Sequence, residues 1–293
     1  MQIPRGKLIA IGGNVDKGSD PDGKHHYSSF SFFEFGILQR ILSETRGKDS
    51  RIEVVTTASM IPEEVGNEYL KAFARLGAKN IGVMHIRDRK EAFEQQYVDR
   101  LAAADGVMLT GGNQLRLTTV FGGTPFHKLL LQRYWNDSFM ISGTSAGAMA
   151  MSNTMIYEGE SEEALLKGTV KMTTGLALIK DVIIDTHFIK RGRFGRLAQA
   201  VVSNPGAVGI GLADDTGLLI TEGNYLETIG SGLVLIFDGT QIRYTNIAEL
   251  PAGLPISMEN LVVHALAKGN AFVLNDKLFF PSAEMALMSH RME

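Results

Sequence analysis

The stretch FMISGTSAGAMAMS, residues 139–152, decides the fold predicted for this chain. An apolar run at 139–142 leads into the glycine-framed turn GTSAG at 143–147, and the small and aliphatic residues after it suit a helix. A buried strand, a sharp turn and a helix in direct succession indicate a βα unit of an α/β sheet.

Short aliphatic runs in the first half repeat this arrangement, and a loop signal follows each of them. We expect parallel strands at 7–11, 52–57, 80–86, 106–110 and 139–142. A helical pattern at 62–76 begins with Pro62 and two glutamates and ends before Gly77. The alternation predicts a three-layer α/β/α sandwich around a mostly parallel, doubly wound sheet.

The second half is predicted to add strands rather than further βα units. It contains a strand at 182–185, a helix at 193–202 and strand-like runs at 208–213, 217–220, 233–237 and 272–280. We interpret these late runs as antiparallel additions to the same domain. Without an internal repeat or a linker, the chain is expected to form one domain over residues 1–293.

Composition narrows the class of protein. The net charge is −3 and the pI about 6.2, which gives no electrostatic footprint for nucleic acid. The chain has no cysteine, which excludes disulfides, thiolate metal sites and a cysteine nucleophile and fits a cytoplasmic protein. We find no signal-peptide or membrane-spanning pattern and no metal-ligand cluster, and we expect no cofactor.

Ligands of such sheets bind beyond the carboxyl ends of the strands, and the GTSAG turn lies at one of these ends. It matches the G-x-S-x-G nucleophile elbow, in which small neighbours let the backbone turn sharply and leave the Ser145 hydroxyl exposed. The free N–H groups of the following helix suit an oxyanion. The alternative is a glycine-rich turn without chemistry.

A serine nucleophile needs a base, and His187 has the best position of the histidines. It ends the apolar run VIIDTH, a strand exit. The others have less suitable contexts. His25 and His26 lie in a polar loop, His127 in a helical pattern and His290 near the terminus. His85 and His264 lie in apolar runs, where packing is the simpler explanation.

The third member should be a carboxylate that orients the imidazole. Asp214 and Asp215 follow GIGLA, another strand exit, while Asp185 lies two residues before His187. The order serine, histidine, acid differs from the serine, acid, histidine order of α/β-hydrolases. An α/β-hydrolase would need His264 or His290 as its base.

Several segments together resemble the cyanophycinase family of serine peptidases, which have the class I glutamine-amidotransferase-like sandwich fold. The combination of GTSAGA with the later pattern HF-x-x-R-x-R-x-G-R is specific. The segments are IGGN at 11–14, TTASMIP at 56–62, LTGGNQLRL at 109–117, GTSAGAMAMS at 143–152, IDTHFIKRGRFGRL at 184–197, GIGLADDT at 209–216 and VVHALAKGNAF at 262–272.

The resemblance implies a triad of Ser145 as nucleophile, His187 as base and Asp214 as acid. It implies an oxyanion hole from the amide of Ala146 and an amide of the Gly111-Gly112 loop, for which we choose Gly112. The implied substrate is a β-linked aspartyl-arginine, in cyanophycin or an isoaspartyl dipeptide. The residues implied at the substrate site are Gln114, Asp185, Thr186, Arg193 and Arg196.

Three positions depart from the family pattern. Asp214 stands where the family usually has glutamate, Thr186 where it often has glutamine, and Asn113 where it often has aspartate. The first shortens the acid by one methylene. The other two border the expected pocket, so they bear on the identity of the substrate more than on the reaction type.

The expected activity is hydrolysis of β-aspartyl peptide bonds by an exopeptidase or omega-peptidase acting through an acyl-enzyme. Alternatives are an α-aspartyl dipeptidase, an esterase-type serine hydrolase, or a non-catalytic binding protein of the same fold. We expect a small peptide or a cyanophycin-like polymer as the partner, and neither nucleic acid nor membrane. A homodimer is left open.

Overall fold

The computed structural model describes residues 3–18 and 32–291 of the 293-residue chain. The strands are β1 Lys7–Ile11, β2 Arg51–Val55, β3 Asn80–Met84, β4 Gly106–Leu109, β5 Met140–Thr144, β6 Thr154–Glu158, β7 Lys171–Thr174, β8 Val182–Asp185, β9 Val208–Leu212, β10 Thr216–Thr221, β11 Tyr225–Gly230, β12 Val234–Asp238, β13 Tyr244–Thr245, β14 Met258–Glu259, β15 Val262–Leu266, β16 Ala271–Val273 and β17 Leu278–Phe280. The helices are α1 Phe32–Phe35, α2 Ile37–Ser43, α3 Pro62–Arg75, α4 Gln95–Ala103, α5 Gln114–Phe121, α6 Pro125–Asn136, α7 Ala146–Met149, α8 Phe194–Ser203 and α9 Ala283–Arg291.

A nine-stranded sheet in the order β17-β16-β11-β10-β1-β5-β4-β2-β3 forms the centre of the fold. Strands β1 to β5 pair in parallel, and the remaining four extend the sheet antiparallel from β1. Strands β4 and β5 are fully buried, as expected of parallel strands with both faces covered. The predicted α/β sheet is confirmed.

Helices cover both faces of this sheet. Successive side chains of each strand point to opposite faces, so one strand contributes apolar side chains to two cores. Along β1, Leu8 and Ala10 face a core that includes α4, α5 and α6. Ile9 and Ile11 face a second core with α2 and α3. The result is the predicted α/β/α sandwich.

The second half adds antiparallel strands, as predicted, and divides them between two sheets. The runs at 208–213 and 233–237 do not join the central sheet; they form β9 and β12 of a separate four-stranded sheet in the order β15-β12-β9-β8. Within it, β9 pairs parallel with β8. A methyl group on Gly211 would lie 2.6 Å from the Phe188 ring, so only a strand with glycine there can lie this close to it.

The run predicted as one strand at 272–280 is two strands, β16 and β17, paired antiparallel. The turn between them contains Asn275, Asp276 and Lys277, and Lys277 has a φ of 58°. Asparagine and aspartate favour turns because their side chains hydrogen-bond to nearby backbone. The prediction also missed β11, whose strand sits between β10 and β16.

Strand ends bring distant loops together at one edge of the fold. Ile11 pairs with Thr144, so β1 and β5 end side by side. In the second sheet Asp185 pairs with Gly211, so β8 and β9 also end together. The residues that follow these four strands meet as described below.

A buried ion pair lies near the opposite end of the parallel strands. Glu53 on β2 is 2% exposed, and its carboxylate contacts Arg100 of α4 through Nε at 3.3 Å and also through Nη2. Arg51 Nη2 is 3.5 Å from the same carboxylate but is more exposed. Removing Arg100 would leave the buried Glu53 carboxylate with only the longer contact to Arg51.

Arg100→Ala is therefore expected to lower the free energy of unfolding by about 2 kcal/mol, less than for a fully buried pair because Arg100 is partly exposed and Arg51 remains. The control Arg51→Ala should lower it by less than about 1 kcal/mol, as for an exposed ion pair. Urea titration at pH 7 measures both. Equal losses in the two variants would contradict the assignment of Arg100 as the main partner of Glu53.

Candidate active site

The turn between β5 and α7 places Ser145 in a backbone conformation that non-glycine residues rarely adopt, with φ 50° and ψ −110°. Neighbouring glycines make the turn possible. A methyl group on Gly147 would lie 2.3 Å from the Leu109 carbonyl oxygen, and one on Gly143 would lie 2.5 Å from the carbonyl carbon of Gly147. This is the strained elbow expected from GTSAG.

His187 lies two residues after the end of β8 and also has a positive φ, of 51°. Its backbone N–H donates to the Gly12 carbonyl at 2.8 Å, and its Nε2 lies 3.1 Å from Ser145 Oγ. Gly13 packs against the ring, where a methyl group would be 2.1 Å from Cε1. The backbone and the ring are thus both held by the residues after β1.

Asp214 is the carboxylate that contacts His187. Its Oδ1 lies 2.6 Å from Nδ1 of the ring, so the shorter side chain reaches the imidazole directly. Asp215 does not compete, because it accepts from the Asp16 N–H at 2.9 Å and the Ser231 hydroxyl at 2.8 Å. Burial raises the pKa of Asp215.

Electrostatics at the imidazole favour its neutral form. Burial, the largest effect, lowers the pKa of His187. The hydrogen bond and negative charge of Asp214 oppose that effect, while the positive charges of Arg191 and Arg193 add to it. With Nδ1–H donating to Asp214, Nε2 is free to accept the Ser145 hydroxyl proton, as a general base requires.

Of the two predicted oxyanion donors, Ala146 directly follows Ser145, and Gly112 belongs to a loop that approaches the serine through Gly111. Ala146 is the first residue of α7, so its N–H has no partner within the helix. The Gly111-Gly112 loop borders the serine from β4: a methyl group on Gly111 would lie 3.5 Å from Ser145 Cβ. Gly112 is exposed and has a φ of 140°.

Two of the residues predicted at the substrate site are bound to each other. Asp185 is fully buried, and Arg196 contacts both of its oxygens, with Nε 2.8 Å from Oδ2. Arg196 Nη1 also donates to the Gly159 carbonyl at 3.0 Å. The guanidinium of Arg196 therefore faces a buried carboxylate and a buried edge of backbone.

Arg193 is held by the same carboxylate through one nitrogen. Its Nη1 donates to Asp185 at 3.1 Å and to the Thr186 carbonyl at 2.7 Å. Burial lowers the pKa of Arg193 to about 10, against the favourable charge of Asp185. The guanidinium thus remains protonated at neutral pH beside the base.

The other residues predicted at the substrate site differ in their hydrogen bonding within the protein. Gln114 begins α5, and its Nε2 donates to the Ile156 carbonyl at 3.0 Å. The buried Thr186 hydroxyl has no hydrogen-bond partner among the described residues. Asn113 caps α5 by accepting from the Leu115 N–H.

The remaining histidines are placed elsewhere. His264 lies on β15 with its ring 5.5 Å from that of Phe272, and His127 Nε2 contacts the Leu176 carbonyl. His85 contacts Thr56 and Glu63. The polar loop with His25 and His26 lies outside the described residues, as does the side chain of His290.

Sequence reasoning assigned no role to Asn14, which contacts the acid. Its Nδ2 donates to Asp214 Oδ2 at 2.7 Å. The only sequence signal was the run IGGN directly after the first strand, a position where ligands of such sheets bind. Over residues 3–18 and 32–291 no group of histidine and acidic side chains is arranged to hold a metal ion. No helix in the same ranges has the length and apolarity to cross a membrane.

The chain is similar in sequence to a known protein family and to several known proteins, and similar in fold to a solved structure. The model of peptidase family S51 matches residues 29–228. A cyanophycinase of Nostoc sp. is 36% identical over 246 residues, covering 84% of this chain and 83% of the relative. A cyanophycinase of Geminocystis herdmanii is 34% identical over 282 residues, covering 96% and 98%. The fold is similar to the crystal structure of a peptidase from an acI-B1 actinobacterium, with a TM-score of 0.64 at 18% identity, covering 93% of this chain and 98% of that one.

The lowered pKa of His187 predicts the pH dependence of peptide hydrolysis. A histidine that acts as general base must be neutral, so with His187 in that role activity should be lost as the pH falls through a pKa below the ordinary histidine value of about 6.5. The measurement is kcat/KM from pH 4 to 8. In Asp214→Asn this acid limb should move to lower pH, because the carboxylate no longer stabilises the imidazolium. A limb above the ordinary histidine value would contradict the effect of burial.

Proposed function

The chain belongs to peptidase family S51, and on that premise we propose that it is a serine peptidase that hydrolyses β-aspartyl peptide bonds. Its substrates are cyanophycin or dipeptides of the β-Asp-Arg type. The proposal draws on the cyanophycinases to which the chain is similar over most of its length. The proposed catalytic residues are Ser145, His187 and Asp214.

One observation carries the proposal: a serine on a strained elbow, an imidazole and a carboxylate are connected in series. Ser145 Oγ is 3.1 Å from His187 Nε2, and His187 Nδ1 is 2.6 Å from Asp214 Oδ1. These are hydrogen-bond distances between atoms in the order that general-base activation of a serine needs.

The first half of the reaction forms an acyl-enzyme. His187 Nε2 takes the proton of Ser145 Oγ, and the oxygen attacks the β-carbonyl carbon of the aspartyl residue. The oxyanion forms beside the N–H groups of Ala146 and Gly112. The C–N bond then breaks, and the leaving amine of the arginine side takes the proton from His187.

The second half regenerates the enzyme. Water attacks the ester carbonyl carbon after giving a proton to His187 Nε2. The C–O bond to Ser145 breaks, and the proton returns to Oγ. The products are the aspartyl β-carboxylate and a free serine. Asp214 accepts from Nδ1–H throughout, so it keeps the ring oriented and stabilises each imidazolium.

Substrate carboxylates are proposed to bind beside the base. Asp185 engages only Nη1 of Arg193, which leaves the rest of that guanidinium for a ligand. Arg196 has its nitrogens on Asp185 and Gly159, so we assign to it and to Asp185 the task of holding Arg193 in place. Gln114 and Thr186 are the proposed polar contacts nearer the scissile bond.

A panel of substrates tests the reaction type. We expect hydrolysis of β-Asp-Arg, little or none of α-Asp-Arg, and no preference for a simple acetyl ester. Ser145→Ala should abolish turnover without altering the fold, because only a hydroxyl is removed. Amine release measures the activity, and circular dichroism measures folding.

A fluorophosphonate probe provides the control for an activated serine. Labelling at Ser145 that is lost in His187→Ala is expected, since the probe reacts only with a serine whose proton has been taken. A folded wild-type protein that neither labels nor hydrolyses any dipeptide would instead be a binding protein of the same fold. Ester cleavage without β-Asp-Arg cleavage would overturn the substrate assignment.

Three single variants test which carboxylate orients His187. Asp214→Asn should lower kcat by about 10⁴-fold, as where a triad acid directly contacts its histidine. Asp215→Asn should be nearly neutral for kcat, because its carboxylate contacts Asp16 and Ser231 rather than the ring. Asp185→Asn should mainly raise KM, through Arg193. A fully active Asp214→Asn enzyme would refute the assignment of the acid and leave the serine mechanism intact.

A further inference from the structure

The second oxygen of the triad carboxylate has its own partner. Asp214 Oδ1 faces His187, while Oδ2 accepts from Asn14 Nδ2 at 2.7 Å. The neighbouring cation, Lys190, is 3.8 Å from Oδ2 and 71% exposed. Asn14 is therefore the residue in direct contact with the outer edge of the acid.

The backbone at Asn14 suits this contact. Its φ is 42°, in the left-handed region that asparagine tolerates better than most residues. The residues before it are fixed by neighbouring strands: the Ile11 carbonyl accepts from Ser145, the Gly12 carbonyl from His187 and the Gly13 carbonyl from Asp215, each at 2.8 Å. The side chain of Asn14 thus starts from an anchored position.

A carboxylate attached by two rotatable bonds can present either oxygen, or the plane between them, to the imidazole. A donor on Oδ2 fixes the rotation that turns Oδ1 toward Nδ1. A hydrogen bond to a charged group is among the stronger ones in proteins. The contact therefore bears on the orientation of the imidazole, and among the described residues the Asn14 side chain makes no hydrogen bond to Ser145.

We propose that Asn14 is a positioning residue that acts on catalysis through Asp214. This inference rests on the proposed function of the Ser145, His187 and Asp214 series. It concerns the turnover step, because Asn14 orients the acid and, among the described residues, has no hydrogen bond to Arg193 or Arg196.

Asn14→Gly is the suitable variant, since glycine accepts the positive φ and removes the side-chain amide together with its Cβ. We expect kcat for β-Asp-Arg to fall by about tenfold, with KM little changed. Asn260→Gly is the matched control: Asn260 has a φ of 67° and donates to the Gln241 carbonyl in a turn between β14 and β15. That control should keep wild-type kcat.

A double-mutant cycle separates action through Asp214 from a general disturbance. In an Asp214→Ala background, Asn14→Gly should cause no further loss of kcat or of the fluorophosphonate labelling rate of Ser145. Asn14→Asp replaces the donor to Asp214 Oδ2 with a second acceptor that repels it, so kcat should fall at least as far as in Asn14→Gly.

Two results would overturn the inference: wild-type kcat in Asn14→Gly, or the same fractional loss with and without Asp214. Both are distinct from failure of the proposed function. If Ser145→Ala is inactive while Asn14→Gly behaves as wild type, the serine mechanism stands and only the role of Asn14 falls. If Ser145→Ala retains activity, the proposed function fails first.

Discussion

The candidate site depends on three consecutive backbone carbonyls at the end of the first strand. Those of Ile11, Gly12 and Gly13 accept N–H groups from Ser145, His187 and Asp215, each at 2.8 Å. Ser145 follows a strand of the central sheet, while His187 and Asp215 follow strands of the four-stranded sheet. These three hydrogen bonds therefore connect the central sheet to the four-stranded sheet. They also fix the distances between the side chains of the site.

Two residues of this run are glycines because Ala213 and His187 pack too closely to leave room for a side chain. A methyl group on Gly12 would lie 1.9 Å from the Ala213 carbonyl oxygen, and one on Gly13 would enter the His187 ring. The same packing removes water from the imidazole, which lowers the pKa of His187. One constraint of shape therefore sets both the position of the base and its protonation state.

The strands and the serine turn that depend on local sequence pattern were predicted correctly. The contacts that depend on residues distant in the chain were not predicted. The strands at 7–11 and 182–185 and the elbow at Ser145 follow from short runs of apolar and small residues. The runs that became β9 and β12 look alike whichever sheet they join, since β-propensity does not specify a partner. Likewise, a basic pattern cannot indicate that Arg196 faces the buried Asp185 instead of a ligand. The contact of Asn14 with Asp214 joins residues 200 positions apart.

Asp214, the proposed acid, stands where the family resemblance implies a glutamate, and its position shows the same dependence on backbone. A side chain shorter by one methylene still reaches Nδ1 at 2.6 Å, because the N–H of the next residue is tied to the Gly13 carbonyl and holds the turn against the histidine. A short side chain has fewer rotatable bonds, so less conformational freedom is lost when it is fixed. Its carboxylate also stays within reach of Asn14, which lies on the loop after β1. The geometry of the acid is therefore a property of the loop after β1 as much as of the acidic residue itself.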